Sequence, residues 1–208
     1  MTRLLRRMLS TLRRERAGSE EIERLAGDQV ALRLIAALVA LRRVAALAAR
    51  AAAPEEVSAA VAEELAQLPG ADTAVMLRYE ADGAATVLGC WSDSGAPAVI
   101  GRRLLVAGEG VAVSAWHTDQ PARAARFAGP PGSVADFLRR ACMRAGSVSP
   151  VVVDGRLWGV VITATARPGQ LSPEAGHWQA AFAGLAATAI ANAQARVELR
   201  AIAGEQAA

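Results

Sequence analysis

A chain of 208 residues, 53% hydrophobic and 21% charged, carries enough apolar material for a filled core and too little charge for global disorder. Its net charge of +3 comes from arginine alone, with no lysine, and Arg3, Arg6, Arg7, Arg13, Arg14 and Arg16 crowd the first sixteen residues. Two cysteines, Cys90 and Cys142, exclude a disulfide framework and a four-cysteine zinc site, and Met1–Ser10 lacks the apolar core of a secretory signal.

Residues 2–16 read as a short amphipathic helix, with Leu5, Leu9 and Leu12 on one face and arginines around the rest. Such a segment suits either a membrane surface or the solvated extension of a dimer helix. Ala17-Gly18 breaks it, and Ser19 with Glu20 and Glu21 opens a second helix over 20–52. Its seam of Leu34, Leu38 and Leu41, continued by Val44 and Leu47, has the spacing of a helix pair. Arg33, Arg42, Arg43 and Arg50 interrupt the apolar run, so it is rejected as a membrane span and the chain is placed in the cytoplasm. Pro54 opens a third helix at its first turn, with Val57, Val61 and Leu65 as its inner stripe and Pro69-Gly70 as its stop.

The centre of the chain is strand-rich. Thr73–Tyr79 alternates, Asp82-Gly83 turns the chain into Ala84–Trp91, and Ile100–Val106 forms a third strand. Short helices follow at Val111–His117 and Val134–Met143, separated by a weakly patterned stretch from Thr118 to Ser133. Val148–Val153 and Leu157–Ala164 flank Asp154-Gly155, the strongest short-range hairpin signal, because a type I′ turn needs positive φ at both central residues. Ser172-Pro173-Glu174 then starts a long helix over 172–203, with Trp178, Phe182 and Leu185 toward the sheet. Its small residues Gly184, Ala187, Ala191 and Ala195 would admit a second helix closely. Taken without any family, these elements make an α+β domain, helices flanking an antiparallel sheet.

Four pieces carry a resemblance: LRRVAALAARAAAPEEVSAAVAEEL at 41–65, ADTAVMLRYEADGAATVLGCW at 71–91, SPVVVDGRLWGVVITAT at 149–165 and ATAIANAQARVEL at 187–199. In order and spacing they resemble the GAF domains of actinobacterial sensor histidine kinases. The resemblance implies a central antiparallel sheet, a helical bundle on one face, a ligand pocket on the other, and dimers through the first and last helices. The expected division is therefore helices over 1–40, a GAF-like domain over 41–203 and a tail over 204–208. The chain ends without a phosphoacceptor helix or an ATP-binding region, so a histidine kinase or another output partner is expected outside it.

On that reading the pocket is lined by Trp91, Arg102, Trp116, Phe127, Phe137, Cys142 and Trp158, apolar at its base and Arg-lined at its rim. The dimer interface takes Leu34, Leu38, Leu41, Ile190, Val197 and Ile202, apolar positions beyond what one domain face covers. The arrangement expected is a four-helix bundle in a homodimer, sensing an unidentified small molecule. Catalytic residues, metal ligands and cofactors are not assigned: no Ser/His/Asp set, P-loop or zinc spacing occurs. Met143 follows Cys142 where a bilin-linking pair would need His, and His117 and His177 fall outside the loop that holds haem in some GAF sensors. Nucleic acid is not an expected partner. Two alternatives stay open: a thiol redox enzyme resembling the free methionine sulfoxide reductases and using Cys142 with Cys90, and a purely structural dimerisation module.

Overall fold

The computed structural model describes residues 35–36, 38–50, 52–68, 70–92, 99–108, 110–169, 171 and 173–206. Side chains of the last helix are described over 175–199. The expected helix over 2–16, the seam residue Leu34 and the side chain of Ile202 lie outside these. The chain divides into two units, Met1–Ala40 and Leu41–Ala208. In the first, residues 35, 36 and 38–40 are helical, with Ile35, Leu38 and Val39 exposed.

The second unit holds a six-stranded sheet. Its strands are β1 (Thr73–Tyr79), β2 (Ala84–Ser92), β3 (Arg103–Leu105), β4 (Ala122–Ala124), β5 (Ala145–Val153) and β6 (Arg156–Thr165). They lie in the order β3-β2-β1-β6-β5-β4, every adjacent pair antiparallel. The Asp154-Gly155 turn has φ of 50° and 74°, the positive pair that a type I′ hairpin requires. The β1–β2 connection works differently: Gly83 donates to the Glu80 carbonyl and takes φ 79°, a type I turn closed by a left-handed residue.

One face of the sheet carries α1 (residues 41–49 of this unit), α2 (Pro54–Ala66) and α5 (Pro173–Gln206). Pro54 at the first turn and Glu55 and Glu56 beside it start α2, which buries Val57, Ala60, Val61 and Leu65. Gly89 on β2 lets α2 approach, since a Cβ there would stand 2.2 Å from the Ser58 carbonyl oxygen. Arg43 pairs with Glu63 and Glu64, and Arg50 with Glu56, so α1 and α2 run antiparallel. Asn192 Nδ2 and Arg196 Nη1 on α5 donate to the carbonyls of Ala48 and Arg50, covering the end of α1 where such groups have no helical partner.

Gln179 fixes α5 on the sheet. Its Oε1 accepts from Ser147 Oγ at 2.6 Å and Thr163 Oγ1 at 3.3 Å, and its Nε2 donates to the carbonyls of Ser147 and Val161. The residue is completely buried, and these bonds tie one helix to two strands. Phe182 is buried as expected, whereas Trp178 and Leu185 are half-buried. Ile190 is 1% exposed, so its side chain serves the domain's own core rather than the expected interface. Val197, by contrast, is 65% exposed.

The opposite face is covered by α3 (Val111–Thr118) and α4 (Val134–Arg140). Ser133 Oγ accepts from the Asp136 amide while the Asp136 carboxylate accepts from the Gly132 amide, a reciprocal cap at the start of α4. Arg139 and Arg140 pair with the same carboxylate, and these contacts hold the Asp136 carboxyl below its ordinary range, the Gly132 amide first. The helix ends with Cys142 donating to the Arg139 carbonyl and Met143 to that of Leu138, a Schellman motif.

Candidate functional site

The sheet face under α3 and α4 is where the sequence places a pocket, and it is filled by the chain's own side chains. Val75, Leu77, Tyr79, Val87, Phe127, Leu138, Val148, Val160 and Ile162 form one buried cluster there. Tyr79, the single tyrosine, donates from its hydroxyl to the Ala112 carbonyl at 2.6 Å and so anchors α3. Trp116 meets the Tyr79 ring edge-to-face, centroids 4.5 Å apart at 82°. Burial, with the Asp119 charge a smaller cause, pushes the Tyr79 hydroxyl well above its usual range and keeps it a donor. The Phe127 ring lies against β5, where a Cβ on Gly146 would stand 2.8 Å from its Cζ. The cavity left between α3, α4 and Phe127 has a volume of about 10 Å³, smaller than any metabolite.

Of the expected pocket residues, Trp116, Phe127 and Phe137 do converge on this cluster. Trp91 does not. The pairing of β1 with β2 shifts register between Met76 and Leu77, leaving Leu88 as the extra residue of a bulge. Past it the alternation inverts: Cys90 packs against the cluster and Trp91 turns with Gly89 to the face that carries α2. Trp158 is likewise the extra residue of a bulge, between Leu157 and Gly159, and is half-buried. Arg102 is exposed in the turn before β3, its amide donating to the Val99 carbonyl.

Cys142 is exposed and has φ 61°. The geometry is that of a helix-terminating position usually held by glycine, which accounts for the strain without any catalytic role. Cys90 is half-buried on β2, and burial pushes its thiol up, away from the thiolate that redox chemistry uses. His117 and His177 are both exposed. Among the described residues no group of three His, Cys, Asp or Glu side chains could hold a metal ion.

Open concavities flank the edge strand β4. One groove, of about 380 Å³, lies between β4 and α3, lined by Gly110, Val111, Ser114, Arg123, Arg126 and Ala128 among others. A second of about 380 Å³ lies on the other side of β4, against β5 and the start of α5, and includes Arg123, Ser149 and His177. Neither groove carries a periodic signal of its own, because β4 is three residues with no alternating pattern.

The GAF domain family matches residues 51–191, about two thirds of the chain. The chain belongs to the GAF domain family. No curated protein is significantly similar to it. Solved structures extend the likeness of this GAF domain at the level of fold. The chromophore-binding domain of an unusual bacteriophytochrome from R. palustris superimposes with a TM-score of 0.61 at 18% identity, over 78% of this chain and 62% of that one. The larger structure of that bacteriophytochrome gives 0.62 at 18% identity, over 80% of this chain and 38% of the other. The phycoerythrobilin-bound GAF domain of a cyanobacterial phytochrome gives 0.63 at 15% identity, over 77% and 96%. The chain therefore spans less than two thirds of the two bacteriophytochrome chains and nearly all of the isolated GAF domain. No described helix is long and apolar enough to cross a membrane.

Proposed function

We propose that this GAF domain is a regulatory module, without catalytic activity of its own, that works as a cytoplasmic homodimer and passes a signal along α5 to an output partner such as a histidine kinase. The observation that carries the reading is α5 itself. At 34 residues it is about 51 Å long at 1.5 Å per residue. Its first half is tied to the sheet through Gln179, and Phe182 and Ile190 are buried in the domain. Past Arg196 it carries Val197 and Leu199, each 65% exposed, an apolar surface that a second copy would cover. Packed helices that shift against one another are a common switching element.

The bilins of the phytochrome relatives do not fit the residues here. Tyr79, Trp116 and Phe127 occupy the face in question, the cavity among α3, α4 and Phe127 is about 10 Å³, and Met143 follows Cys142. The small molecule that such a module senses is then of another kind, or enters elsewhere. The redox alternative is weakened by the burial of Cys90 and by the structural account of Cys142.

Light scattering tests the dimer. The wild-type chain is expected to be dimeric at micromolar concentration, and Leu38→Glu or Val197→Glu to shift it to monomer by placing a charge in an apolar seam. A monomeric wild type, or variants that both stay dimeric, would refute the arrangement. Thiol-dependent reduction of free methionine sulfoxide, lost in Cys142→Ser, would overturn the non-catalytic assignment.

A further inference from the structure

We propose that Asn192 and Arg196 couple α1 to α5, so that a displacement of α1 reaches the exposed end of α5 without passing through the sheet. The proposal rests on the reading of α5 as the output element and not on the dimer. A helix leaves its last carbonyls without partners inside itself. At the end of α1 the Ala52 amide closes on the Leu47 carbonyl rather than on that of Ala48, four residues back. Pro54, four residues after Arg50, has no N–H to offer the Arg50 carbonyl. Both carbonyls are taken by α5: Asn192 Nδ2 donates to that of Ala48 at 3.3 Å and Arg196 Nη1 to that of Arg50 at 2.8 Å. Asn192 and Arg196 are four positions apart, so one face of α5 makes both bonds. The Arg196 guanidinium also meets the negative end of the α1 dipole.

The other contacts of α1 do not fix it along its axis as firmly. Its buried stripe in this unit is Val44 and Ala48, followed by Ala52, small side chains that lock a helix less than large ones would. The ion pairs of Arg43 with Glu63 and Glu64, and of Arg50 with Glu56, join it to α2 through exposed arginines, and such pairs hold weakly. α5 is fixed differently. Gln179 ties its first half to the sheet, Phe182 and Ile190 are buried, and Val197 and Leu199, just past Arg196, are exposed. The clasp therefore meets α5 where its anchored part gives way to its uncovered part. A shift of packed helices there alters the surface that an output partner would read. Tyr79 and Phe127 fill the opposite face of the sheet, so a signal arriving through α1 needs no ligand among them.

Amide hydrogen exchange on the full chain tests the coupling as a cycle. Ala46 is exposed, so Ala46→Gly loosens α1 without touching the core. It should quicken exchange of the α1 amides about fivefold, the scale of glycine in a helix interior. With the clasp intact, the Val197 and Leu199 amides should quicken as well, about threefold, the scale of coupling between residues in direct contact. In the Asn192→Ala/Arg196→Ala background, Ala46→Gly should still act on α1 while Val197 and Leu199 no longer respond. Asn192 is half-buried and Arg196 exposed, and alanine favours helix at both, so α5 keeps its form. A cap that served α1 alone would transmit nothing. Unchanged rates at Val197 and Leu199 on Ala46→Gly, or the same response with the clasp removed, would overturn the proposal. So would equal quickening of the β1 and β6 amides, since the response would then be general destabilisation. Light scattering on the same samples keeps the dimer separate: a monomer that shows the transmitted response would refute the dimer and support the clasp, and a dimer without it would do the reverse.

Discussion

Two positions show how strictly the backbone chooses its residues. Gly89 stands where a methyl group would meet the Ser58 carbonyl oxygen at 2.2 Å, and backbone cannot swing away as a flexible side chain can. Gly89→Ala should therefore lift α2 off β2 and cost several kcal/mol, about the level at which core defects unfold small domains, read from denaturant titration. Cys142 is the reverse case, a side-chain-bearing residue at φ 61° where a Schellman motif favours glycine. Cys142→Gly should raise stability by about 1 kcal/mol, the cost of the left-handed region for an L residue. A fall would mean that the thiol packs in a way that its exposure hides. Asp136 gives a pH signature. Its carboxyl is held low by the Gly132 amide, Arg139 and Arg140, so the folded state binds its proton less readily than the unfolded chain. That contribution is fully present above the ordinary aspartate range and is lost as pH falls through the depressed folded value. Asp136→Asn should flatten the acid limb of a stability-versus-pH curve and leave its neutral region sloping as before.

Among the elements, those with strong local chemistry were legible and those set by partners were not. The hairpin at Asp154-Gly155, the Pro54 start of α2 and the 111–118 helix all match signals written in adjacent residues. β4 is not legible in the sequence, because Ala122–Ala124 becomes a strand only by pairing with Gly146–Val148. The third strand was expected over seven residues and is three, Arg103–Leu105. The bulge at Leu88 had the largest effect on the site: one inserted residue exchanges the faces of everything after it, which moved Trp91 out of the expected pocket. Gln179 is not legible as an anchor in an Ala-rich helix, since a lone polar residue on a buried stripe gives no periodic signal. Its four hydrogen bonds make it the strongest test of how α5 is held. Gln179→Leu should cost about 3 kcal/mol by leaving strand carbonyls and hydroxyls short of partners. Hydrogen exchange should show the loss concentrated in the first half of α5, and uniform loss of protection would argue against Gln179 as its anchor.

At the scale of the whole molecule, a GAF domain with its pocket face packed and its last helix partly uncovered has unequal stability along its length. The sheet, α2 and the first half of α5 share one buried interior, whereas the exposed Val197 and Leu199 gain nothing from it. If a second copy covers that surface, association and folding are coupled, and the unfolding midpoint must rise with protein concentration. A tenfold increase supplies about 1.4 kcal/mol per dimer, which for two domains of this size amounts to roughly 2 °C. Val197→Glu should abolish this dependence while the variant still unfolds cooperatively, because its sheet and Gln179 contacts are untouched. A differential scanning calorimetry series over about a hundredfold range of concentration separates the cases. A midpoint that does not move in the wild type would mean that a second copy does not cover the end of α5, which would refute the dimer and leave the output partner as the first candidate for that surface.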